Sequence, residues 1–340
     1  MHLKLEERRA TRVILIRHGQ STYNALGLYQ GSSDESVLTE TGRSAACQTG
    51  AYLKGLAFDA VYSSSLKRAH QTAREILGVM APTVDPNTIV VTDLLRETDL
   101  PAWQGLTFKY VQEKFAADYR TWKQRPHEFS MEIPYQSFYP ALDLYNRVRQ
   151  FWQEVLPRHI GQTLLLVTHG GTNRALITTA LGVTPDRYHC IQQSNCGISV
   201  LHFPDGSLES GRLVAMNLTS HVGENLPKLQ EGNQGLRLLL VPSGFQSLQE
   251  IETAVQNRSS NQWLTKLVFT DEDIIKLFIG EVLGMNSDQW RLQLREGAMT
   301  CIHYPGSHHP PILQAMNVSG VEKDLIFEPI VAQTKSVFSI

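Results

Sequence analysis

The chain has few cysteines and almost no net charge. Its 340 residues carry a formal net charge of −2. A chain so close to neutral gives no reason to expect nucleic acid or an anionic membrane as a partner. The cysteines have unrelated spacings and form no Cys-x-x-Cys pair; they are Cys47, Cys190, Cys196 and Cys301. Such spacing is typical of reduced thiols in a cytoplasmic protein, with a Cys190–Cys196 disulfide as the less favoured alternative.

Long apolar runs and several well-known motifs are also missing. No apolar run approaches the length of a membrane span, and residues 1–12 lack the apolar core of a signal peptide. We therefore expect a cytoplasmic protein with no membrane partner. The chain has no GxxxxGK[ST], HExxH or GxSxG pattern. Their absence argues against a P-loop nucleotide site, a zinc peptidase and a lipase-like serine hydrolase.

Short apolar runs alternate with amphipathic segments along the first two thirds of the chain. Val13–Ile16 and Leu164–Val167 read as buried strands, whereas Leu66–Leu77 and Leu142–Leu156 read as helices. A single helix is also expected over Gln104–Arg125. This alternation predicts an α/β fold, a three-layer α/β/α sandwich with a mostly parallel central sheet.

A polar stretch divides the chain into two units. Asn225–Gln234 contains proline, glycine and asparagine and reads as a linker, and a new apolar strand, Leu236–Val241, follows it. We expect a first domain over residues 1–230 and a smaller α/β unit of the same type over residues 231–340.

Charged and imidazole side chains follow the predicted strands. Arg17 and His18 come after the first strand, Arg68 just after the second, Glu97 after the third and His169 after the strongest strand. Because parallel strands place their carboxyl ends at one edge of a sheet, we expect these side chains to converge. The run Ser63–Ser65 is interpreted as turn chemistry and helix capping.

This set of side chains suits phosphoryl transfer through a phosphohistidine. Guanidinium groups bind phosphate oxygens in pairs, a neutral imidazole can act as a nucleophile, and a carboxyl group can protonate a leaving oxygen. A metal site would need more Asp or His residues near His18 and His169, and none is expected.

The sequence resembles the histidine phosphatase superfamily, the branch with cofactor-dependent phosphoglycerate mutases and their phosphatase relatives. The matching stretches occur in family order: Arg17–Asn24, Gln30-Gly31, Leu38–Gly42, Tyr62–Ala73, Glu97 and His169–Gly171. The resemblance implies that His18 is the nucleophile and that Arg17, Arg68 and His169 bind the phosphate oxygens. It implies that Glu97 is the acid.

The resemblance implies further residues around the phosphate. Asn24, Gln30, Gly31 and Gly170 match positions that line the family's phosphate pocket. No metal or organic cofactor is implied. The expected partner is a small phosphorylated substrate, and a homodimer stays possible.

Three functions remain open. The residues after Glu97 run to Trp103-Gln104-Gly105, similar to the Trp-x-Gly ending of the phosphatase branch, which favours a metal-independent phosphomonoesterase. Phosphoserine is one candidate substrate. The alternatives are a phosphoglycerate mutase and a regulatory protein that binds phosphorylated ligands. The family pattern is broken by Ser65, Pro101 and residues 133–139, and the last of these segments borders the substrate in the family.

The second unit repeats parts of the first. Leu236–Gly244 aligns with Thr11–Gly19, and Thr265–Asp271 aligns with Thr163–His169. The residues that stand in place of Arg17, His18 and His169 are Pro242, Ser243 and Asp271. We interpret residues 231–340 as a truncated, catalytically degenerate copy with a packing or regulatory role.

Overall fold

The computed structural model describes residues 10–80, 88–134, 136–229, 234–258, 263–285, 291–305, 310–319 and 326. His308 and His309, which the adjacent prolines Pro310 and Pro311 predict to lie in an exposed loop, are outside these residues. The strands are β1 Thr11–Arg17, β2 Ala60–Ser64, β3 Ile89–Thr92, β4 Met131–Ile133, β5 Gln136–Phe138, β6 Thr163–Thr168, β7 Ile198–Phe203, β8 Arg212–Leu218, β9 Gly235–Pro242, β10 Trp263–Thr270, β11 Met299–Tyr304 and β12 Ile312–Val318. The helices are α1 Thr22–Leu26, α2 Glu40–Leu53, α3 Lys67–Met80, α4 Phe108–Lys114, α5 Ala116–Gln124, α6 Pro140–Val155, α7 Gly170–Ala180, α8 Leu248–Gln256 and α9 Glu272–Leu283.

Ten strands form one mixed sheet in the order β10-β9-β11-β12-β8-β7-β1-β6-β2-β3. Strands β1, β6, β2 and β3 are parallel neighbours, as are β9 and β10. The remaining pairings in the sheet are antiparallel. The predicted α/β class is confirmed. In the parallel part of the sheet, β1, β6, β2 and β3 have their carboxyl ends at one edge, and the charged residues follow the strands there.

Helices cover both faces of the parallel part. Alternate residues of β1 point to opposite faces, so Val13 and Leu15 join one buried cluster while Ile14 and Ile16 join the other. Helices α6 and α7 contribute to the first cluster, and α2 and α3 contribute to the second. These layers hold the carboxyl ends of the strands in fixed positions.

One predicted helix is wrong in its length. The segment predicted as a single helix over Gln104–Arg125 forms α4 and α5 instead. Thr107 caps α4 by accepting a hydrogen bond from the Tyr110 N–H, and Phe115 leaves the helical region with φ −117° and ψ 40°. The break turns α5 so that its last turn faces the cavity described below.

The strands of the C-terminal part extend the same sheet, and their pairing repeats that of the first part. Arg12 of β1 lies opposite His202 of β7, and Arg237 of β9 lies opposite His303 of β11. The order β10-β9-β11-β12 continues as β8-β7-β1-β6, so matching strands follow in reverse order across the β12–β8 contact. The division into two domains stays a prediction.

Two asparagines at the β8–β12 contact occupy matching conformations. Asn217 has φ 55° and Asn317 has φ 61°, in the left-handed region that asparagine tolerates better than most residues. Asn217 donates through Nδ2 to the Gln314 carbonyl at 2.8 Å, and Asn317 donates to the Val214 carbonyl at 2.6 Å. The two parts of the chain therefore exchange equivalent hydrogen bonds.

The remaining structural predictions concern thiols and membranes. The four cysteines are free, so Cys190 and Cys196 form no disulfide. Across the ranges given above, no helix is long and apolar enough to cross a membrane.

Candidate active site

His18 lies at the carboxyl end of β1 and is buried, with 1% of its surface exposed. Its backbone N–H donates to the Thr168 carbonyl at 2.9 Å, which places it beside the end of β6. Its ring nitrogen Nδ1 lies 2.7 Å from the Gly19 carbonyl, to which only a protonated Nδ1 can donate. Within the described residues Nε2 makes no hydrogen bond, so that nitrogen presents its lone pair.

The two site histidines are close to each other and electrically neutral. Their ring centroids are 5.2 Å apart. Burial, followed by the charges of Arg68 and Arg17, lowers the pKa of His18 well below its ordinary value. Burial and Arg68 do the same to the pKa of His169, with smaller effects from other neighbours. A neutral imidazole retains the lone pair that a nucleophile needs.

His169 is positioned by a serine whose role was not predicted. Its Nε2 lies 2.7 Å from the Ser64 Oγ at the end of β2. The Ser64 Oγ also accepts the Leu66 N–H at 3.2 Å, as the interpretation of this serine run as turn chemistry predicts. Its contact with His169 is a second role that the sequence did not indicate. His169 Nδ1 is buried and has no partner among the described residues.

Arg68, which is fully buried, and Arg17, which is partly exposed to the cavity, complete the cationic part of the site. Arg17 donates through Nη1 to the Gln193 carbonyl at 2.7 Å, and Arg68 donates to the Ser33 and Gly31 carbonyls at 2.7 and 2.8 Å. Burial lowers the pKa of both guanidinium groups to about 10, so both stay charged at neutral pH. The Nε atoms of both side chains are buried without a partner in the described parts of the chain.

Glu97 faces the first turn of α7. Its Oε2 accepts the Gly171 N–H at 3.0 Å, and its Oε1 accepts the Thr172 and Thr98 N–H groups at 3.1 and 2.8 Å. A Cβ atom on Gly171 would lie 2.4 Å from Glu97 Oε1 and 2.2 Å from the Tyr188 hydroxyl. Only glycine lets this carboxylate approach the helix so closely.

Four other predicted residues line a cavity beside these groups. Asn24, Gln30, Gly31 and Gly170 line it together with Arg17 and Glu97, whereas His18, Arg68 and His169 are not among its lining residues. The Ser21 hydroxyl donates to Asn24 Oδ1 and Gln30 Oε1, at 3.0 and 2.8 Å.

Three further residues of the site lie in loops, and the sequence did not predict them as site residues. Asn195 donates through Nδ2 to the His18 carbonyl at 2.8 Å and to Asn24 Oδ1 at 3.2 Å. Thr98 and Tyr188 are joined through their hydroxyls at 2.6 Å beside Glu97. Thr98 directly follows Glu97, the predicted acid, so its place in the sequence could have indicated a site residue. Asn195 and Tyr188 belong to no sequence motif that indicates a site.

The cavity is large enough for a phosphorylated metabolite. Its volume is about 490 Å³, and besides the residues above it is lined by aromatic and basic side chains that include Trp122, Lys123 and Arg174. In the parts of the chain that the structure describes, no group of three or more His, Cys, Asp or Glu residues could hold a metal ion.

The fold and the site define a class of protein: an α/β protein with two neutral histidines, two arginines and a carboxylate at the edge of a parallel sheet. The model of the histidine phosphatase superfamily (branch 1) matches residues 13–218. The chain belongs to that superfamily, as its motifs indicated.

Curated relatives include phosphatases of plants and bacteria. A 2-carboxy-D-arabinitol-1-phosphatase of Triticum aestivum is 37% identical over 238 residues, 69% of this chain and 46% of that protein. A probable 2-carboxy-D-arabinitol-1-phosphatase of Arabidopsis thaliana is 35% identical over 298 residues, 85% of this chain and 56% of that protein. Phosphoserine phosphatase 1 of Hydrogenobacter thermophilus is 32% identical over 213 residues, 63% of this chain and 95% of that protein. The chain spans about half the length of the two plant proteins.

Solved structures show the same fold. Phosphoserine phosphatase of Entamoeba histolytica, in complex with 3-phosphoglyceric acid, has a TM-score of 0.52 and 27% identity over 62% of this chain and 99% of that chain. A putative alpha-ribazole-5'-P phosphatase of Escherichia coli has a TM-score of 0.52 and 25% identity over 61% of this chain and 96% of that chain.

Proposed function

We propose that the protein is a metal-independent phosphomonoesterase of small phosphorylated metabolites, with His18 as the nucleophile. One observation carries the proposal. His18 is buried, neutral and fixed through Nδ1 to the Gly19 carbonyl, and its Nε2 is left to attack phosphorus. The relatives named as phosphatases support the hydrolytic class.

The reaction proceeds in two transfers. In the first, His18 Nε2 forms a bond to phosphorus while the bond to the leaving oxygen breaks, and Glu97 in its acid form gives that oxygen a proton. In the second, water attacks phosphorus, the N–P bond breaks and Glu97 takes a proton from the water. Arg17, Arg68 and His169 face the phosphate oxygens, where fixed donors stabilise the charge of the transition state.

Phosphoserine remains the first candidate substrate, because relatives named phosphoserine phosphatase align with nearly their whole length. A mutase would return the phosphoryl group to another hydroxyl, and a regulatory binder would not turn over. Release of one inorganic phosphate per phosphomonoester consumed, with chelator present, distinguishes the phosphatase from both.

The test of the nucleophile is His18→Ala, with His127→Ala as a control outside the site. We expect His18→Ala to abolish turnover, because the neighbouring imidazole, His169, is held at Nε2 by Ser64 and serves the phosphate oxygens in this mechanism. Acid-labile, base-stable phosphate should be trapped on wild-type protein and absent from the variant. Substantial turnover by His18→Ala, or strict dependence on a metal, would overturn the mechanism.

The test of the acid is Glu97→Gln. An alkyl phosphate needs a proton on its leaving oxygen far more than p-nitrophenyl phosphate does, so the variant should lose about 10²-fold or more on the alkyl ester and much less on the aryl ester. Equal losses on both esters would mean that Glu97 does not protonate the leaving group.

We further infer that residues 231–340 are a degenerate copy that serves as a scaffold for the catalytic part. The mirrored strand order, the matched registers and the paired asparagines support this inference. Its strand β12 covers the edge of β8, where Met316 lies opposite Met216 and both are fully buried. A second chain of a homodimer would then have to bind elsewhere.

The scaffold role is tested in the full-length chain. Met316→Arg places a charge in the buried contact and should lower the melting temperature and the activity together, whereas Thr265→Arg on the exposed β10 edge should change neither. A chain ending at residue 230 should aggregate or lose activity. If it stays monomeric, stable and fully active, the second part has a separate function.

A further inference from the structure

We propose that Gln314, in the C-terminal part of the chain, is a positioning residue for Arg17 of the active site. Together with Asn217 it fixes the loop 190–197, and that loop orients Arg17 and the backbone of His18. The inference rests on the proposed function, since Arg17 and His18 are the groups assigned there to the phosphate.

The loop 190–197 contacts the active site at two points. The Gln193 carbonyl accepts a hydrogen bond from Arg17 Nη1 at 2.7 Å. Asn195 donates through Nδ2 to the His18 carbonyl at 2.8 Å. Because a guanidinium group is a rigid planar fork, the position of the Gln193 carbonyl decides where the other N–H groups of Arg17 point. A shift of this loop would therefore reach the phosphate through Arg17.

Strand β12 holds one side of this loop through backbone and side-chain hydrogen bonds. The Gln192 N–H donates to the Leu313 carbonyl at 2.9 Å, and the Leu313 N–H donates to the Cys190 carbonyl at 2.8 Å. The Gln314 Nε2 donates to Gln192 Oε1 at 2.9 Å. Both glutamines are buried, so water cannot take the place of either amide if the other is lost.

The neighbours of the two glutamines allow one orientation for each amide. Arg237 Nε can only donate and lies 2.9 Å from Gln314, so Gln314 turns Oε1 toward Arg237 and Nε2 toward Gln192. The Lys228 carbonyl can only accept and lies 2.7 Å from Gln192, so Gln192 turns Nε2 toward that carbonyl. Gln192 then presents Oε1 to Gln314. The hydrogen bond between the two amides is therefore fixed in direction by their surroundings.

Asn217 of β8 holds the other side of Gln193. Its Oδ1 accepts the Ser194 N–H at 2.7 Å, and its Nδ2 donates to the Gln314 carbonyl at 2.8 Å. The residues on both sides of Gln193 are thus bonded to groups that lead back to Gln314. Loss of these bonds should let the Gln193 carbonyl move.

The C-terminal part contains the same arrangement around a loop that holds none of the candidate site residues. The Arg295 N–H donates to Asn317 Oδ1 at 3.0 Å, in the way that Ser194 donates to Asn217. The Gln293 N–H donates to the carbonyl of Leu213 in β8 at 3.0 Å. Both asparagines are fully buried and have positive φ. A substitution at Asn317 is therefore a matched control for the same substitution at Asn217.

The matched pair is Asn217→Gly and Asn317→Gly. Glycine accepts the positive φ, so each variant loses its side-chain hydrogen bonds without backbone strain. The melting temperature should fall by similar amounts in both. We expect Asn217→Gly to lower kcat/KM for p-nitrophenyl phosphate by about tenfold and to weaken inhibition by inorganic phosphate, whereas Asn317→Gly should keep both values within about twofold. Equal kinetic losses in the two variants would leave Asn217 with a structural role only.

A double-mutant cycle shows whether Gln314 acts through Arg17. Gln314→Met retains the size of the side chain but removes the amide. It should lower kcat/KM by about tenfold in the wild type and by less than about twofold in Arg17→Lys, because one ammonium cannot hold the Gln193 carbonyl and the phosphate together. Equal factors in both backgrounds would mean that Gln314 acts independently of Arg17. If Gln314→Met does not fold, Gln192→Met, which removes the partner amide, takes its place in the cycle.

The outcomes separate the positioning role from the proposed function. Hydrolysis of p-nitrophenyl phosphate by the wild type, and its loss in His18→Ala, tests the function alone. Wild-type kcat/KM from folded Asn217→Gly and Gln314→Met would overturn the positioning role and leave the function intact. If the wild type hydrolyses no phosphate ester, calorimetry with inorganic phosphate decides instead. Asn217→Gly should then bind phosphate about tenfold more weakly than Asn317→Gly, and equal dissociation constants would refute the inference.

Discussion

Acid should destabilise this protein through its buried neutral histidines, and His202 offers the clearest case. It lies in β7 with 9% of its surface exposed. Burial, followed by Arg12 and Arg212, lowers its pKa to about 3. An unfolded chain restores a pKa of about 6.5. Since the unfolded state binds the proton more tightly, the stability is present above pH 6.5 and is lost as the pH falls toward 3.

The magnitude follows from the two pKa values. Between them, each pH unit changes the free energy of unfolding by about 1.4 kcal/mol for one histidine. At pH 5 the His202 contribution to the loss is about 2 kcal/mol, whereas at pH 7 it is about 0.2 kcal/mol. Burial lowers the pKa of His221 to about 4, so protonation of this histidine should reduce the free energy of unfolding at pH 5 by nearly the same amount. Two kilocalories are a large share of the stability of a typical domain.

The measurement is urea unfolding of wild type and His202→Gln at pH 7, 6 and 5. The difference in unfolding free energy between pH 7 and pH 5 should be smaller by about 2 kcal/mol in the variant, whatever its stability at pH 7. Phe203→Leu disturbs the neighbouring packing but leaves the titrating groups unchanged. It should therefore lower the free energy of unfolding by the same amount at all three pH values. If His202→Gln keeps the wild-type difference, the reasoning about burial and charge at this position is wrong.

Two substitutions in the site have equally definite outcomes. Gly171→Ala should displace Glu97 and lower kcat/KM by about 10²-fold, because the new Cβ would lie within 2.4 Å of three oxygen atoms. The control is Gly78→Ala on the exposed face of α3, where a Cβ would have no atom within 4 Å, and it should leave activity unchanged. Arg68→Lys should lower kcat/KM by about 10²-fold or more. A single ammonium group cannot keep the hydrogen bonds to the Ser33 and Gly31 carbonyls and also offer two parallel N–H donors to phosphate. Wild-type kinetics from the lysine variant would contradict the bidentate role.

The position of the candidate catalytic residues at one edge of the sheet could be predicted because they follow strands that the sequence marks clearly. Val13–Ile16 and Leu164–Val167 are continuous apolar runs, and parallel strands must end at one edge. His18 and His169 were therefore expected to meet, and their rings are 5.2 Å apart. Their chemical roles stay predictions that only kinetics can test.

The residues that sequence reasoning missed are brought to the site by long connections. Asn195 reaches the His18 carbonyl across 177 positions, and Ser64 reaches His169 across 105. Neither contact has a local pattern, because the pairing is set by the register of β7 and β2 in the sheet. The break at Phe115 was missed for a similar reason: the helical periodicity of Gln104–Arg125 continues through it, and only the backbone dihedrals show the turn.

The junction between strand and helix differs between the two parts of the chain. At the end of β10, Asp271 accepts the Asp273 N–H at 2.8 Å and caps α9, which stabilises a helix by about 1 kcal/mol. At the matching end of β6, His169 occupies the cap position of α7 but makes no such bond. Its ring instead binds Ser64 and lies beside His18. A residue that only stabilised the helix would be an aspartate or serine there, as in the second part of the chain. The choice of a buried histidine with an unpaired Nδ1 is therefore understood from chemistry rather than stability, and it favours a catalytic first part and a structural second part.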